Sequence, residues 1–256
     1  MGPEDGSEPV RSNQEPHHTL GLEVMSDAVR YRRYLLELLE PHCGRTVLEV
    51  GSGLGDLAAE LSGYERLIVT DVDPACLHEL SARFRGRPDV EVRPFDLREN
   101  DARIPSVDTV LAVNVLEHIV DDAGALRRMA EVVVPRGNIV LFVPAYPSLY
   151  GPHDRAAGHV RRYVPRTLRA AVVDAGLRVE VLRPVNFLGG VAWWVAVRVG
   201  GCSSPRSSLV GLYDRLVVPL VRLMEARWRP PFGQSILCVA RVQESSDTDA
   251  SGSSDR

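Results

Sequence analysis

The sequence predicts an α/β fold in which helices cover both faces of a mostly parallel sheet. Between residues 45 and 184, short apolar segments typical of strands alternate with segments of helical periodicity, and the connections are short. This alternation indicates parallel strands, because parallel neighbours are joined by crossovers that are usually helices. The length of 256 residues suits one domain with a large core. We therefore expect a single domain over residues 19–242, with disordered polar tails at 1–18 and 243–256.

The predicted elements follow one another in a regular order. A helix over residues 25–41 has apolar side chains at helical spacing and ends at Pro41. Strands are predicted at 45–50, 66–71, 89–94, 107–113, 137–144 and 177–184, with a last strand near 235–242. The intervening helices are predicted at 54–63, 74–85, 120–133 and 165–176.

The first strand runs directly into a glycine-rich turn. Residues Val47 to Gly55 are V-L-E-V-G-S-G-L-G, and a helix follows. Glycines let the backbone approach a ligand closely, and the helix start supplies free N–H groups. Asp71 ends the next strand, 20 positions after Gly51, where an acid that accepts hydrogen bonds from a ribose is expected. The pattern predicts a nucleoside-bearing cofactor.

The spacing of the glycines separates two kinds of cofactor. A dinucleotide turn has the pattern G-x-G-x-x-G, but its third position here is Asp56, whose carboxylate would repel a pyrophosphate. The third glycine is instead Gly55, which gives E-x-G-x-G-x-G. This pattern resembles motif I of the class I S-adenosylmethionine-dependent methyltransferases. The resemblance implies that S-adenosyl-L-methionine is bound by Glu49, Gly51, Ser52, Gly53 and Gly55.

Four further segments extend the resemblance over roughly residues 25–184. L-I-V-T-D-V-D-P (67–74) is similar to the second strand of the family and implies ribose contacts from Asp71 and Val72, while Asp73 is better explained as a helix N-cap. R-P-F-D-L-R (93–98) is similar to the end of the third strand, which implies that Asp96 and Leu97 contact the adenine.

The fourth and fifth strands complete this resemblance. V-D-T-V-L-A-V-N-V-L-E-H-I (107–119) resembles the fourth strand and exit of the ubiquinone- and menaquinone-type branch, and implies cofactor contacts from Asn114 and Val115. P-R-G-N-I-V-L-F-V-P (135–144) resembles the fifth strand. The family fold is a Rossmann-like sheet of seven strands, mostly parallel, whose last strand is usually antiparallel.

Two segments interrupt the alternation, 145–164 and 185–232. They follow the fifth and sixth strands, so we expect both at the carboxyl edge of the sheet, where ligands bind, as a lid over the substrate. The first resembles the signature P-A-x-P-x-L-Y-G-x-x-D-x-x-x-G-H-x-R-R-Y of a bacterial subset of these methyltransferases. Its candidate substrate-binding residues are Tyr150, Asp154, Arg161, Arg162 and Tyr163. The alternative is a solvated loop with local ion pairs.

Methyl transfer from a sulfonium needs an aligned nucleophile and a base, because the donor is already activated. The candidate bases are His118, His153 and His159, since the usual pKa of histidine lies near 6.5. Alternatively, His118 and Glu117 only shape the cofactor pocket. We expect no metal site, because these two residues are too few ligands, and Asn114 stands where some quinone-type relatives have an acid.

The 185–232 segment is rich in Trp, Arg and Pro. Its run 209–224 has apolar residues at helical spacing, and packing of this run against the sheet is the plain interpretation. Two other interpretations remain open. The segment could form an apolar wall for a lipid-like, polyketide-like or prenylated acceptor, or it could form a homodimer contact. The stretch Val185–Val197 is too short and interrupted to span a membrane.

Composition excludes several classes of function. All 30 basic residues are arginine, so no lysine is available for Schiff-base or phosphate-loop chemistry, and the net charge of −4 disfavours nucleic-acid binding. The four cysteines lack paired spacing and are expected to be reduced in a cytoplasmic protein. A non-catalytic cofactor-binding protein and a nicotinamide-dependent oxidoreductase remain as alternatives. We expect methylation of a small-molecule acceptor, at oxygen before nitrogen or carbon.

Overall fold

The protein forms one seven-stranded sheet in the order β3-β2-β1-β4-β5-β7-β6. The computed structural model describes residues 28–99, 104–199 and 207–244. Strands β1 to β5 are parallel to one another, whereas β7 runs antiparallel to both β5 and β6. The predicted fold class is therefore confirmed, including the reversed last strand. The strands are β1 (Thr46–Val50), β2 (Arg66–Asp71), β3 (Val90–Pro94), β4 (Val107–Val113), β5 (Val133–Pro144), β6 (Arg178–Val185) and β7 (Ser235–Arg241).

Helices connect the strands and also follow β6. They are α1 (Val29–Leu39), α2 (Asp56–Glu60), α3 (Pro74–Arg83), α4 (Asp122–Glu131), α5 (Pro152–Ala156), α6 (Pro165–Asp174), α7 (Phe187–Val199), α8 (Ser207–Leu212) and α9 (Val218–Glu225). A π-helical turn (Tyr213–Val217) joins α8 to α9, and short 3-10 turns lie at Glu40–His42, Leu116–His118 and Pro147–Leu149.

The sheet has a hydrophobic core on each face. On β1, Leu48 and Val50 belong to one core and Val47 to the other, as the alternation of side chains along a strand requires. The first core includes buried residues of α4 and α6, and the second includes residues of α1, α2 and α3. Two covered faces explain why the central strands are almost continuously apolar.

Strand β5 begins four residues earlier than predicted. Val133 already pairs with Val107, and the register then shifts before the pairing resumes at Thr109 and Asn138. Gly137 lies in this irregular stretch, where a Cβ atom would stand 2.7 Å from a backbone oxygen of β4. The sequence P-R-G therefore marks a bulge within the strand and not its start.

The segment 207–225 packs against α1, which differs from the plain interpretation that placed it on the sheet. Its buried residues Val218 and Val221 form a small core with Tyr34 of α1. Asp214 accepts hydrogen bonds from two backbone N–H groups in the first turn of α1, at 2.7 and 3.2 Å. Because Ala28, the described residue before α1, offers no side-chain cap, Asp214 supplies an acceptor to N–H groups in the first turn of this helix.

The π-helical turn has a local cause. Pro219 has no N–H group to donate to the carbonyl of Arg215, four residues earlier. That carbonyl accepts instead from the side chain of Arg30, at 2.6 Å. The hydrogen bond from Arg30 thus links the π-helical turn to α1.

Three further expectations concern membrane spans, cysteines and the polar tails. Among the described residues, none of the helices combines the length and the apolar character needed to cross a bilayer. Cys43, Cys76 and Cys238 are free thiols. The predicted tails lie outside the described residues, except for 243 and 244.

Candidate active site

The predicted site residues converge because the parallel strands share one carboxyl edge. The turns after β1, β2, β3 and β4 carry the proposed cofactor contacts, and the segment 145–164 follows β5. In sheets of this type, ligands bind outside these strand ends.

The glycine turn has a backbone that only glycine adopts easily. Gly51, Gly53 and Gly55 have φ angles of +67°, +55° and +77°. A Cβ atom on Gly51 would lie 2.8 Å from the Val115 side chain, so β1 and β4 approach closely at their exits. The three glycines of the motif are therefore required by the backbone, with or without a ligand.

The Asp71 carboxylate is joined to this turn. One carboxylate oxygen accepts a hydrogen bond from the Gly53 N–H at 2.9 Å, and the other accepts from the Asp73 N–H at 2.9 Å. Each oxygen keeps acceptor capacity for a ribose hydroxyl. Asp73 caps α3 by accepting from the Ala75 N–H at 2.9 Å, as the sequence predicted. Val72 beside it is exposed.

Glu49 is the buried acid of the turn. It is 3% exposed, and its Oε2 atom has no hydrogen-bond partner within the described residues. Burial raises the pKa of Glu49 to about 7, the Ser52 side chain opposes this rise, and the negative charge of Asp71 adds to it. A carboxylate oxygen that is buried without a partner is suited to a cation. The positively charged amino-acid end of S-adenosylmethionine fits that requirement.

Ser52 fixes the turn to β2. Its N–H donates to the Thr70 carbonyl at 2.8 Å, and its hydroxyl accepts from the Thr70 N–H at 3.2 Å. Asp56, which follows the turn, forms an ion pair with Arg83 at 2.8 Å. This pair partly offsets the negative charge of Asp56, which would repel a pyrophosphate.

The proposed adenine contacts lie at the next two strand ends. Asp96 accepts hydrogen bonds from the Arg98 side chain, at 2.9 Å from Nε and 2.6 Å from Nη2. These bonds lower the pKa of Asp96. Leu97 is buried, whereas Asn114 is exposed with a φ of +54°. To accept from an adenine amine, Asp96 has to use its remaining lone pairs or release Arg98.

A buried polar network forms in the segment after β5. Asp154 is fully buried and accepts from His159 Nδ1, Arg162 Nε and the Gly151 N–H, each at 2.8 Å. Burial alone would raise the pKa of Asp154, but hydrogen bonds from His159 and Arg162 outweigh it and lower that pKa to about 2. An ionised acceptor beside Nδ1 favours the imidazole tautomer that carries its proton on Nδ1.

Glu117 lies beside this network. It is fully buried, and neither carboxyl oxygen has a hydrogen-bond partner within the described residues. Burial raises its pKa to about 8, although the nearby Arg162 charge opposes the rise. Glu117 Oε1 lies 3.9 Å from His159 Nε2. The two segments are joined by a hydrogen bond from the Val160 N–H to the Glu117 carbonyl, at 2.9 Å.

His118 completes a cluster with His159 and Glu117. The two imidazole rings meet edge to face, with 4.7 Å between their centroids. One potential ligand atom from each of the three residues lies within 4.8 Å of the others. The sequence predicted no metal site because only two ligands were evident, but the fold adds His159 as a third, so the cluster could hold a divalent cation.

The remaining substrate-binding candidates anchor the segment. Tyr163 is 2% exposed, and its hydroxyl donates to Asp122 at 3.0 Å. Arg161 donates to the same carboxylate at 2.6 Å. The Tyr150 hydroxyl donates to the His159 carbonyl at 2.8 Å. These side chains hold the segment 145–164 in place. Their polar groups bind other parts of the protein, although the sequence predicted that they would bind the substrate.

The third histidine candidate contacts α7. The His153 ring packs edge to face on Trp193 at 5.4 Å, and burial lowers its pKa. Trp193 also covers the Arg162 guanidinium at 5.6 Å and donates from its ring N–H to the Leu149 carbonyl at 3.0 Å. The sequence analysis named Glu117 only as a residue that shapes the cofactor pocket beside His118, and it included Trp193 only as part of the 185–232 lid. The N-V-L-E-H-I motif offered a signal for Glu117, but no local pattern marked Trp193.

Comparisons with known proteins agree with this geometry. Residues 48–139 match the family model described as a methyltransferase domain. The Mycobacterium tuberculosis protein Rv0224c, named an uncharacterized methyltransferase, is 34% identical over 124 residues, 47% of this chain and 47% of its own. Rv3030 of the same species, named a probable S-adenosylmethionine-dependent methyltransferase, is 29% identical over 161 residues, 60% of this chain and 57% of its own. The chain thus spans about half the length of the curated relatives that it matches.

The fold has solved counterparts as well. A structure of a Haloferax volcanii complex with the Trm112 methyltransferase activator matches with a TM-score of 0.60 at 17% identity, covering 89% of this chain and 97% of the other. At this identity the match shows the fold alone. Residues 48–139 match a methyltransferase domain, and the named relative and the buried Glu49 carboxylate agree with S-adenosylmethionine as its cofactor.

Proposed function

We propose that the chain transfers a methyl group from S-adenosylmethionine to an oxygen atom of a small molecule, and that His159 is the base. The observation that carries the proposal is the hydrogen bond between His159 Nδ1 and the buried Asp154 carboxylate, at 2.8 Å. When bound, the cofactor supplies a methyl group that is already activated by its sulfonium. The protein has to bind both reactants in line and remove a proton.

The cofactor contacts follow from the strand exits. Glu49 neutralises the amino end of the cofactor, and Asp71 accepts hydrogen bonds from the ribose. Asp96 and Leu97 bind the adenine, and Val115 packs beside the glycine turn. The support for Glu49 is its Oε2 atom, which has no hydrogen-bond partner in the part of the chain that the structure describes and which the ligand would satisfy.

Oxygen is favoured as the acceptor because of the Asp154–His159 pair. A neutral amine already offers a lone pair, whereas a hydroxyl must lose its proton as the new bond forms. Asp154 keeps the proton on Nδ1, so that Nε2 can accept the proton of the hydroxyl. Arg162 and the Gly151 N–H hold Asp154 ionised. We assign Asp154 and Arg162 as positioning residues.

The segments 145–164 and 185–232 form the proposed acceptor side. Trp193 of α7 donates to Leu149 and covers Arg162, so the two segments are in contact. His118 packs against His159 and limits the rotation of its ring. This arrangement supports a covered acceptor site built on the rigid strand exits.

The test is a product screen followed by matched variants. Purified protein is incubated with S-adenosylmethionine and pools of hydroxylated small molecules, and mass spectrometry identifies products that carry one added methyl group. With the acceptor found, we expect His159→Gln to lower kcat by about 10²- to 10⁴-fold, the usual contribution of a general base. Cofactor affinity, measured by calorimetry, should stay within about twofold.

The control is His78→Gln, which changes an exposed histidine of α3. This variant should change neither kcat nor the affinity for the cofactor. Asp154→Asn should lower kcat and shift the pH profile, because an amide no longer fixes the Nδ1 proton. Equal loss of cofactor binding and turnover in His159→Gln would show that this residue has only a structural role.

A further inference from the structure

The helical segment from Ser207 to Glu225 directs leucines toward solvent. The exposed residues recur every three or four positions, so they lie on one side of the helix. They are Leu212, Leu216, Leu220, Leu223 and Met224, with exposed fractions from 37% to 58%. Nearby α7 exposes Val191, Trp194 and Val195, and Trp228 follows α9. We call these nine side chains the outer apolar face. Large apolar side chains that repeat along one exposed side of a helix mark an interaction site.

The inward side of the same helix combines the buried Val218 and Val221 with polar contacts to α1 and α7. Asp214 is buried and binds the first turn of α1 through two backbone N–H groups. Glu225 accepts from the Tyr34 hydroxyl at 2.6 Å and from the Phe187 N–H at 2.9 Å. Arg222 pairs with Glu37 of α1. The leucines therefore face outward because these apolar and polar contacts fix the rotation of the helix.

The charge of this region opposes that of the whole chain. Residues 187–232 contain six arginines and only the two acids already engaged, Asp214 and Glu225, whereas the complete chain has a net charge of −4. Arg215, Arg227 and Arg229 are exposed and form no ion pair with any residue that the structure describes. The outer apolar face is thus flanked by cationic side chains.

A second copy of the chain is a poor occupant for this face. A symmetric dimer would bring the unneutralised arginines of both copies together, which is unfavourable. An anionic lipid surface supplies an apolar partner for the leucines and a negatively charged partner for the arginines. Its acyl region accepts leucine side chains, its interface accepts tryptophans, and its headgroups pair with arginines.

We propose that the outer apolar face lies on the surface of an anionic phospholipid bilayer. The helix rests in the interface plane and does not cross the membrane. Leu216 and Leu220 enter the acyl boundary, and Arg215 and Arg227 extend to the headgroups. Trp193 joins α7 to the segment that carries Asp154 and His159, so the bound surface adjoins the rim of the site.

The test uses the full chain and sonicated vesicles of two compositions, phosphatidylcholine alone and phosphatidylcholine mixed with phosphatidylglycerol. We expect co-sedimentation with the mixed vesicles and at least about tenfold weaker partitioning into the neutral ones, from the attraction of several arginines. High salt should reduce the difference. A double variant, Leu216→Glu with Leu220→Glu, should lose at least about tenfold in partitioning, because it places charge in the apolar contact.

The matched control is Val173→Glu, which changes an exposed valine on α6, outside the outer apolar face. Its partitioning should equal that of the unmodified chain. Circular dichroism checks that each variant is folded. If the double leucine variant is unfolded, Arg215→Gln with Arg227→Gln takes its place and should lose the salt-dependent part of binding.

Three results would overturn the proposal. The first is absence of binding to the mixed vesicles, and the second is equal binding to both compositions. The third is a dimer in lipid-free solution that the leucine substitutions convert to a monomer, which would assign the face to a second copy. None of these depends on methyl transfer, so the proposed function is tested separately.

Discussion

Replacing Glu49 with glutamine should change protein stability and cofactor binding in opposite directions. Burial raises the pKa of Glu49 from its usual 4.5 to about 7, so ionising this carboxyl in the folded protein is unfavourable. At about 1.4 kcal/mol for each tenfold change in an equilibrium constant, the penalty is about 3 kcal/mol. The carboxyl is buried completely, so solvent screening does not reduce this figure.

The sign follows from the proton balance. The folded pKa exceeds the unfolded one, so the favourable contribution is complete below pH 4.5 and is lost as the pH rises through about 7. Glutamine does not ionise, and any cost of burying its amide is independent of pH. The free energy of unfolding of Glu49→Gln, relative to the unmodified protein, should therefore rise by about 3 kcal/mol between pH 4.5 and pH 8.

Urea unfolding without cofactor, followed at several pH values, measures this difference. Calorimetry at pH 8 should show S-adenosylmethionine bound roughly 10- to 100-fold more weakly by the variant, since a charged partner is worth about 1.5–3 kcal/mol. Glu79→Gln, an exposed change on α3, is the control. A stability difference that stays constant with pH, together with unchanged cofactor affinity, would refute the assignment of Glu49.

Three other substitutions or treatments test separate parts of the site. Asp71→Ala should weaken cofactor binding by about 1–3 kcal/mol in calorimetry, because ribose hydroxyls and the Gly53 N–H lose an acceptor. Unchanged affinity would show that Asp71 does not bind the ribose. Gly51→Ala should destabilise the protein by about 1–3 kcal/mol in urea unfolding, since the φ of Gly51 is +67° and the new Cβ would lie 2.8 Å from Val115. An unchanged free energy of unfolding would mean that the Val115 side chain moves aside at little cost. Chelation with EDTA should leave turnover unchanged, because the proposed role of His159 needs no metal; loss of turnover that a divalent cation restores would assign Glu117, His118 and His159 as ligands.

The geometry of the glycine turn and of the neighbouring strand end was predictable because its determinants are local. The positive φ angles at Gly51, Gly53 and Gly55 belong to one turn, and Asp71 ends the neighbouring strand at a fixed distance along the chain. Asp73 was predictable as a cap for the same reason. Such features depend on a few consecutive residues and on the pairing of adjacent parallel strands.

The acceptor side depends on contacts between distant segments. The sequence supplied Asp154, His159 and Glu117 as separate polar residues, but only the fold brings Glu117 to 3.9 Å from His159. Burial is equally non-local: Tyr163 was a candidate for contact with the acceptor, yet it lies in the core with its hydroxyl on Asp122.

The segment 207–225 shows a third limit. Helical spacing of its leucines predicts an amphipathic helix, but periodicity alone does not say which face is buried. The rotation is fixed by Asp214 at the start of α1 and by Glu225 on Tyr34. These polar contacts, together with the core formed by Val218, Val221 and Tyr34, turn the leucines of this helix outward.

The central claim is that S-adenosylmethionine binds over the glycine turn at the exit of β1. A crystal structure of the chain grown with this compound tests it most directly. We predict ribose hydroxyls within hydrogen-bond distance of Asp71 and the amino end of the ligand beside Glu49. A ligand bound elsewhere, or a dinucleotide retained at the turn in its place, would contradict the account.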